Sequence, residues 1–158
     1  MSGKVYLTRK KYKELIDLLE KMKKVDRREI AKEIAIAREK GDLRENAEYD
    51  AAKEKQGFIE KRILDLENQL SRAQMVEDLN IDITKVNIGA KVILEDVNDN
   101  MEITYDLVGP EESNFEEGKI SVTSPVGSAL IGHGQGDIVE IQVPVGILTY
   151  KIVSFSYE

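Results

Sequence analysis

The sequence predicts an α+β protein in two parts. An N-terminal antiparallel α-helical coiled-coil hairpin is followed by a small, mostly antiparallel sheet domain with one short helix. Three observations predict it. Residues 8–40 contain neither Pro nor Gly, and a second helical run follows a single interruption at Gly41. Apolar residues in that second run recur in two seven-residue series, the spacing of a coiled coil. Beyond Gln74 the texture changes to short β-rich runs separated by turn residues.

Composition sets the outer limits. The 158 residues are 41% hydrophobic, enough for a core, and 34% charged, above the roughly 25% of an average soluble chain. That excess suits long solvated helices better than one globule. The absence of Cys excludes disulfides, thiolate metal sites and Cys catalysis. A single His, His133, excludes His-pair zinc sites and argues against a Ser-His-Asp hydrolase. No apolar run approaches the roughly 18 residues of a membrane span, and no signal-peptide core precedes the helices, so a soluble cytoplasmic protein is expected. The net charge of −7 is unevenly divided: residues 1–78 hold 19 Lys/Arg and 17 Asp/Glu, residues 79–158 hold 4 and 13. The acidic half repels nucleic acid, and its expected partner is a protein surface.

In the first helical run, Leu15, Leu18, Leu19 and Met22 keep helical spacing. Ile30, Ile34 and Ala37 resume it in a shifted phase after residues 26–29. Such a shift reads as a stutter, which alters supercoiling without ending the helix. Asp17 with Lys21 and Glu20 with Lys24 are acid-then-base pairs one helical turn apart. The second run is predicted over residues 42–75. Ala52, Ile59, Leu66 and Ala73 form one series, and Tyr49, Gln56, Ile63 and Leu70 the other. Two helices of matching length with almost no loop between them must fold back on each other. Residues 1–76 are thus assigned to the hairpin, 77–86 to a linker without helical period, and 87–158 to the second domain. Strands are predicted over 90–95, 102–108, 119–123, 138–143 and 147–154. Turn chemistry stands at Asn98-Asp99-Asn100 and Pro144-Val145-Gly146. Ser124 suits the N-cap of a short helix, Pro125 its first position and Gly132 its stop.

The hairpin tip, Gly41-Asp42-Leu43-Arg44-Glu45-Asn46-Ala47-Glu48-Tyr49, offers the most chemistry. Gly41 suits the backbone that ends the first helix. Asp42 and Glu45 have the spacing of a capping box, and acids in a first turn suit the helix dipole. The same two carboxylates, with Glu48, also read as a cluster at the end of a rod. One or two carboxylates rarely complete a Mg²⁺ site, so such a cluster suits completing a site on another molecule.

The run of residues 38–58, centred on that tip, resembles the signature of the bacterial GreA transcript cleavage factors. Ser124-Pro125-Val126-Gly127-Ser128-Ala129-Leu130-Ile131-Gly132 is similar to that family's C-terminal motif. The likeness covers almost the whole chain, with Arg44 standing where the family often has Lys. The resemblance implies an FKBP-like C-terminal domain that binds bacterial RNA polymerase beside its secondary channel, with Ser124 and Pro125 at the binding surface. It implies that the coiled coil passes down the channel, where the tip stimulates the polymerase's own hydrolysis of backtracked nascent RNA. The factor would be an accessory rather than an enzyme, with no membrane and no small-molecule substrate among its partners. Asp42 and Glu45 match the catalytic pair, sharing a Mg²⁺ with the polymerase in a two-metal hydrolysis. Gly41, Asn46 and Tyr49 match positions that shape the tip.

Arg38 and Lys53 match a basic patch that faces RNA in the family; as residues alone they read equally as solvated charge. The patch is small, which resembles GreA more than GreB. Glycines around His133 lack the Lys and Ser/Thr of a phosphate loop, so a flexible surface loop is expected there. Two other readings stay open. One is a regulatory channel binder without cleavage stimulation; the other is a structural coiled-coil module that needs the tip acids only for helix stability.

Overall fold

The N-terminal half folds around its apolar seam. In the computed structural model of the protein, which describes residues 3–41 and 46–157, the chain opens with β1 (Val5–Leu7). It continues in α1 (Arg9–Lys21) and α2 (Arg27–Glu39) and returns in α3 (Ala47–Ser71). Between α1 and α2 lies a π-helical stretch, Met22–Asp26, across which the Arg27 N–H donates to the Met22 carbonyl. The buried residues Leu15, Met22, Ile30 and Ala37 explain it. Met22 and Ile30 are separated by one residue more than the repeat on either side, and the wider π turn absorbs that residue without rotating the face away. The phase shift read as a stutter is therefore a π turn. Side chains follow it: Lys21 reaches Asp26 at 3.5 Å, while Asp17 pairs with Lys13 at 3.6 Å rather than with Lys21. Glu20 pairs with Lys24 as expected.

Along α3, Ala52, Ile63 and Leu66 are buried, and Tyr49, Gln56, Ile59 and Leu70 are half-buried. Both seven-residue series thus face inward. Ile30, Ile34 and Ala52 form a cluster with Tyr49 and Ile59 against it. Ion pairs cross the seam from Lys23 to Glu67 (3.2 Å), Arg27 to Glu60 (2.9 Å) and Glu33 to Lys55 (3.3 Å). Their partners descend along α3 as they ascend along the first arm, the order of an antiparallel pair. Being exposed, each adds little stability.

The chain forms two compact units: Tyr12–Ala73, and Gly3–Lys11 together with the chain from Gln74 onward. The first residues therefore group with the second unit, although composition assigned residues 1–76 to the hairpin. The helix expected to reach residue 75 ends at Ser71, and β2 (Ala73–Met75) pairs with β1. Three residues are too few for alternation to announce a strand, so β1 and β2 escape a sequence reading. Within the second unit, Val5 and Leu7 are 1% and 0% exposed. The Thr8 N–H and hydroxyl both donate to the carboxylate of Glu112 at 3.0 Å, and Glu112 is itself only 7% exposed. Gly109 permits this approach, since a Cβ there would lie 2.4 Å from the Tyr6 carbonyl oxygen. The Thr8 hydroxyl accepts the Lys11 N–H (3.2 Å) and Glu77 accepts the Arg9 N–H (3.0 Å), which caps the first turn of α1.

The remaining elements are β3 (Ala90–Asp96), β4 (Met101–Val108), β5 (Lys119–Ser121), α4 (Pro125–Leu130), β6 (Ile138–Val143) and β7 (Gly146–Tyr157). They form one sheet in the order β5-β4-β3-β7-β6, antiparallel throughout except for β4 with β5. Alternation puts Ala90, Val92 and Leu94 inward, where they meet Leu107, Ile141, Ile152 and Leu130 of α4. Ser124 caps α4 as its position predicts, its hydroxyl accepting the Gly127 N–H at 3.1 Å. Val86, at the end of the expected linker, lies 1% exposed in this core, and its N–H donates to the His133 carbonyl at 2.9 Å. In the β3–β4 turn, Asp96 accepts the Asn98 N–H (2.9 Å) and Asn100 takes a left-handed φ of 55°. Among the described residues no helix is long and apolar enough to cross a membrane.

Deleting Lys24 should convert the π stretch to α-helix and leave the seam intact. Deleting Glu33 should swing Ile34 and Ala37 off the seam and cost about 2–5 kcal/mol. Thermal melting followed by circular dichroism separates the two; equal losses would mean that the π turn carries no register. Glu112→Ala should lower stability in urea by about 1–3 kcal/mol, because the half-buried Thr8 N–H loses its acceptor. Glu111→Ala, at an exposed neighbour, should change it by less than about 0.5 kcal/mol.

Candidate functional site at the hairpin tip

Where a hairpin reverses, one helix ends with unpaired carbonyls and the next begins with unpaired N–H groups. At the end of α2, the Lys40 N–H donates to the Ala37 carbonyl (3.3 Å), and Gly41 takes a φ of 152°, a backbone that side chains disfavour. At the start of α3, Asn46 is extended and its Oδ1 accepts the Tyr49 N–H at 3.1 Å. Its Nδ2 donates back to the Ala37 carbonyl at 2.5 Å. One side-chain amide, with an acceptor and a donor, thus serves both helix ends. Asp has no such donor, which explains the residue type.

Asn46 is therefore the N-cap of α3. The predicted start at residue 42 is replaced by a start at Ala47. Asp42, Leu43, Arg44 and Glu45 lie outside the described residues, and with them the capping-box, catalytic and metal-ligating assignments. Glu48, the third acid of the candidate cluster, pairs with Lys40 at 3.3 Å. Among the described residues no group of three or more His, Cys, Asp or Glu is placed to hold a metal.

Tyr49 is half-buried against the Ile30–Ile34–Ala52 cluster, and the Arg38 guanidinium lies 5.8 Å from its ring centroid. Lys53 donates to the Gln56 side-chain oxygen at 3.1 Å, whereas Lys55 is paired with Glu33. Sequence reasoning placed Tyr49 in the seam but missed both its contact with Arg38 and the Lys40–Glu48 pair. Cross-helix partners depend on how many residues the reversal consumes, which periodicity does not reveal.

In the second unit, Ser124 and Pro125 line an apolar groove of about 350 Å³ with Tyr105, Phe115, Val126 and Val143. The exposed Phe115 ring lies 6.4 Å from that of Tyr105. The His133 segment is tied down rather than free: Asp137 accepts the Gly134 N–H (2.9 Å) and lies 3.2 Å from the His133 ring. The backbone hydrogen bond, then the one to His133, hold the Asp137 carboxyl below its ordinary range.

Residues 5–75 match the family described as "Transcription elongation factor, N-terminal", and residues 81–157 match "Transcription elongation factor, GreA/GreB, C-term". The chain belongs to the GreA/GreB family. The transcription elongation factor GreA of Pelobacter propionicus is 47% identical over 158 residues, covering 100% of both chains. That of Syntrophotalea carbinolica is 46% identical over 157 residues, covering 99% of each. Among solved structures, GreA factor homolog 1 (Gfh1) of Thermus thermophilus is 32% identical and covers 97% of this chain and 99% of that one, with a TM-score of 0.44.

In this GreA/GreB-family chain, Asn46→Asp keeps the cap but loses the donor to Ala37, and Asn46→Ala loses both. The alanine variant should therefore melt with a loss of about 1–2 kcal/mol and the aspartate variant with a smaller one. Equal losses would show that the bond to Ala37 does all the stabilising.

Proposed function

We propose that this chain enters the secondary channel of bacterial RNA polymerase with its hairpin. There it stimulates the polymerase's own Mg²⁺-dependent hydrolysis of backtracked nascent RNA. The observation that carries this reading is the match of residues 5–75 and 81–157 to the two GreA/GreB domains. The N-cap of α3 comes from Asn46, so neither Asp42 nor Glu45 is needed as that cap. The 25 residues of α3 make it about 37 Å long. A two-helix rod of that length reaches a site enclosed by another protein.

The donor set fits a shared ion. Two carboxylates leave coordination positions for polymerase groups and for phosphate, as Mg²⁺ prefers. When bound, that ion supplies a lowered pKa for the attacking water and charge neutralisation at the phosphate. Asp42 and Glu45 would hold it from the factor's side, and a carboxylate oxygen of the pair would accept a hydrogen bond from the attacking water and so orient it. Gly41 and Asn46 shape the turn that carries them. Arg38 and Lys53 face the nascent RNA. The second unit anchors the factor to the polymerase, with Ser124 and Pro125 in its binding surface, and so raises the hairpin's effective concentration. The chain acts in the cytoplasm as an accessory, the polymerase being the enzyme; no membrane or small-molecule substrate takes part.

The test is a halted, backtracked elongation complex with Mg²⁺, its transcript resolved on a gel. Wild-type protein should accelerate shortening of the RNA. Asp42→Asn and Glu45→Gln should abolish most of that acceleration, since a neutral amide is a poor Mg²⁺ ligand, and should leave melting nearly unchanged. An amide variant that cleaves like wild type removes that residue from the metal. If the wild-type protein occupies the polymerase without shortening the RNA, the factor is a channel binder that does not stimulate cleavage.

A further inference from the structure

The four cations that flank the tip divide by the kind of group that holds them. Lys40 is paired with Glu48 and Lys55 with Glu33, both at 3.3 Å. Arg38 and Lys53 are held by neutral groups, the Tyr49 ring and the Gln56 side-chain oxygen. Among the described residues neither of these two pairs with a carboxylate. The distinction matters electrostatically. A carboxylate partner fixes a cation but cancels its field a few ångströms away, whereas an aromatic face attracts it through a quadrupole and leaves its net charge whole.

We propose that Tyr49 is a positioning residue that orients Arg38 without neutralising it, so that a full positive charge is presented to an RNA phosphate. This rests on the reading given under Proposed function. The ring is itself well held. Its backbone N–H is bound by Asn46, and its body packs on the Ile30–Ile34–Ala52 cluster. Arg38 directly follows Ala37, whose carbonyl Asn46 also grips. Successive residues at the end of α2 are thus fixed by the N-cap of α3 and by Tyr49 of its first turn, one through the backbone and one through the side chain. An arginine side chain has several free torsions, and a partner that restricts them in advance lowers the entropy lost when the guanidinium meets its anion. Gln56 stands in the same relation to Lys53.

The contact predicts a spectroscopic signature in the free protein. Arg38 side-chain protons should be shifted upfield by the ring current, and Tyr49→Leu should remove that shift. In the cleavage assay, Tyr49→Leu should raise the factor concentration for half-maximal rate about two- to fivefold, the range expected of an exposed cation–π contact. The maximal rate and the affinity for polymerase alone should stay near wild type. Tyr49→Phe, which keeps the ring, should restore both the shift and the half-saturation. The deciding comparison is a double-mutant cycle: in an Arg38→Ala background, Tyr49→Leu should have no further effect on half-saturation.

An equal effect of Tyr49→Leu in both backgrounds would overturn the proposal, since Tyr49 would then act by a route other than Arg38. A parallel loss of polymerase affinity would also overturn it, by making the pair a protein contact, as would the absence of a ring-current shift. Failure of the underlying reading shows separately, in a wild-type protein that does not accelerate cleavage.

Discussion

The hairpin works only if two helices keep one register over their whole length, and that constraint decides most of what is seen in the first unit. Seven-residue repetition puts Tyr49, Gln56, Ile63 and Leu70 beside Ala52, Ile59 and Leu66 on one face of α3. The first arm must match that face with a sequence carrying one surplus residue between Met22 and Ile30. The π turn at Met22–Asp26 takes it up. Without that turn, Ile30, Ile34 and Ala37 would rotate by about 100° per residue of mismatch and leave the seam. Register then fixes which side chains meet near the reversal. Asn46 finds the Ala37 carbonyl and Tyr49 finds Arg38 because the arms are in phase there.

Much of this was legible in the residues, for physical reasons that can be named. Long-period signals survive: both helical arms, the antiparallel return and the strands from Ala90 onward follow from patterns spanning many residues. The short helix was legible because Ser124 and Pro125 carry specific backbone chemistry. Failures cluster where a pattern has no length. β1 and β2 have three residues each and are held by partners remote in sequence. The start of α3 was misplaced because Asp42 with Glu45 and Asn46 with Tyr49 offer the same cap spacing, and only the cross-helix acceptor at Ala37 distinguishes them. Residues 77–86 looked like a linker because Leu79, Ile81, Ile83 and Val86 follow no helical period, and only Val86 of them is buried.

Of the candidate site, the residue types were legible and their relations were not. Composition near the tip shows mixed charge and no preference among Arg38, Lys40, Lys53 and Lys55. Among the described residues they sort into cations paired with a carboxylate, Lys40 and Lys55, and cations held by an aromatic ring or an amide, Arg38 and Lys53. The second unit shows the complementary economy. Its acidic surface carries few cations, and the exposed Phe115 ring stands beside Ser124 and Pro125 at an apolar groove.

The bond between Thr8 and Glu112 joins residues separated by 104 positions, and it orders events during synthesis. At typical translation speeds of a few to twenty residues per second, β1 waits roughly 5–20 s for the acceptor that completes its surroundings. The arms that lie between them in sequence need only local pairing, which forms far faster. The hairpin therefore has time to close while Val5 and Leu7 still lack the unit that buries them. The two ends of the inserted arms, at Tyr12 and Ala73, are then drawn together by strand pairing on their flanks. A nascent chain stalled before residue 112 would hold a finished rod while Val5 and Leu7 still face water.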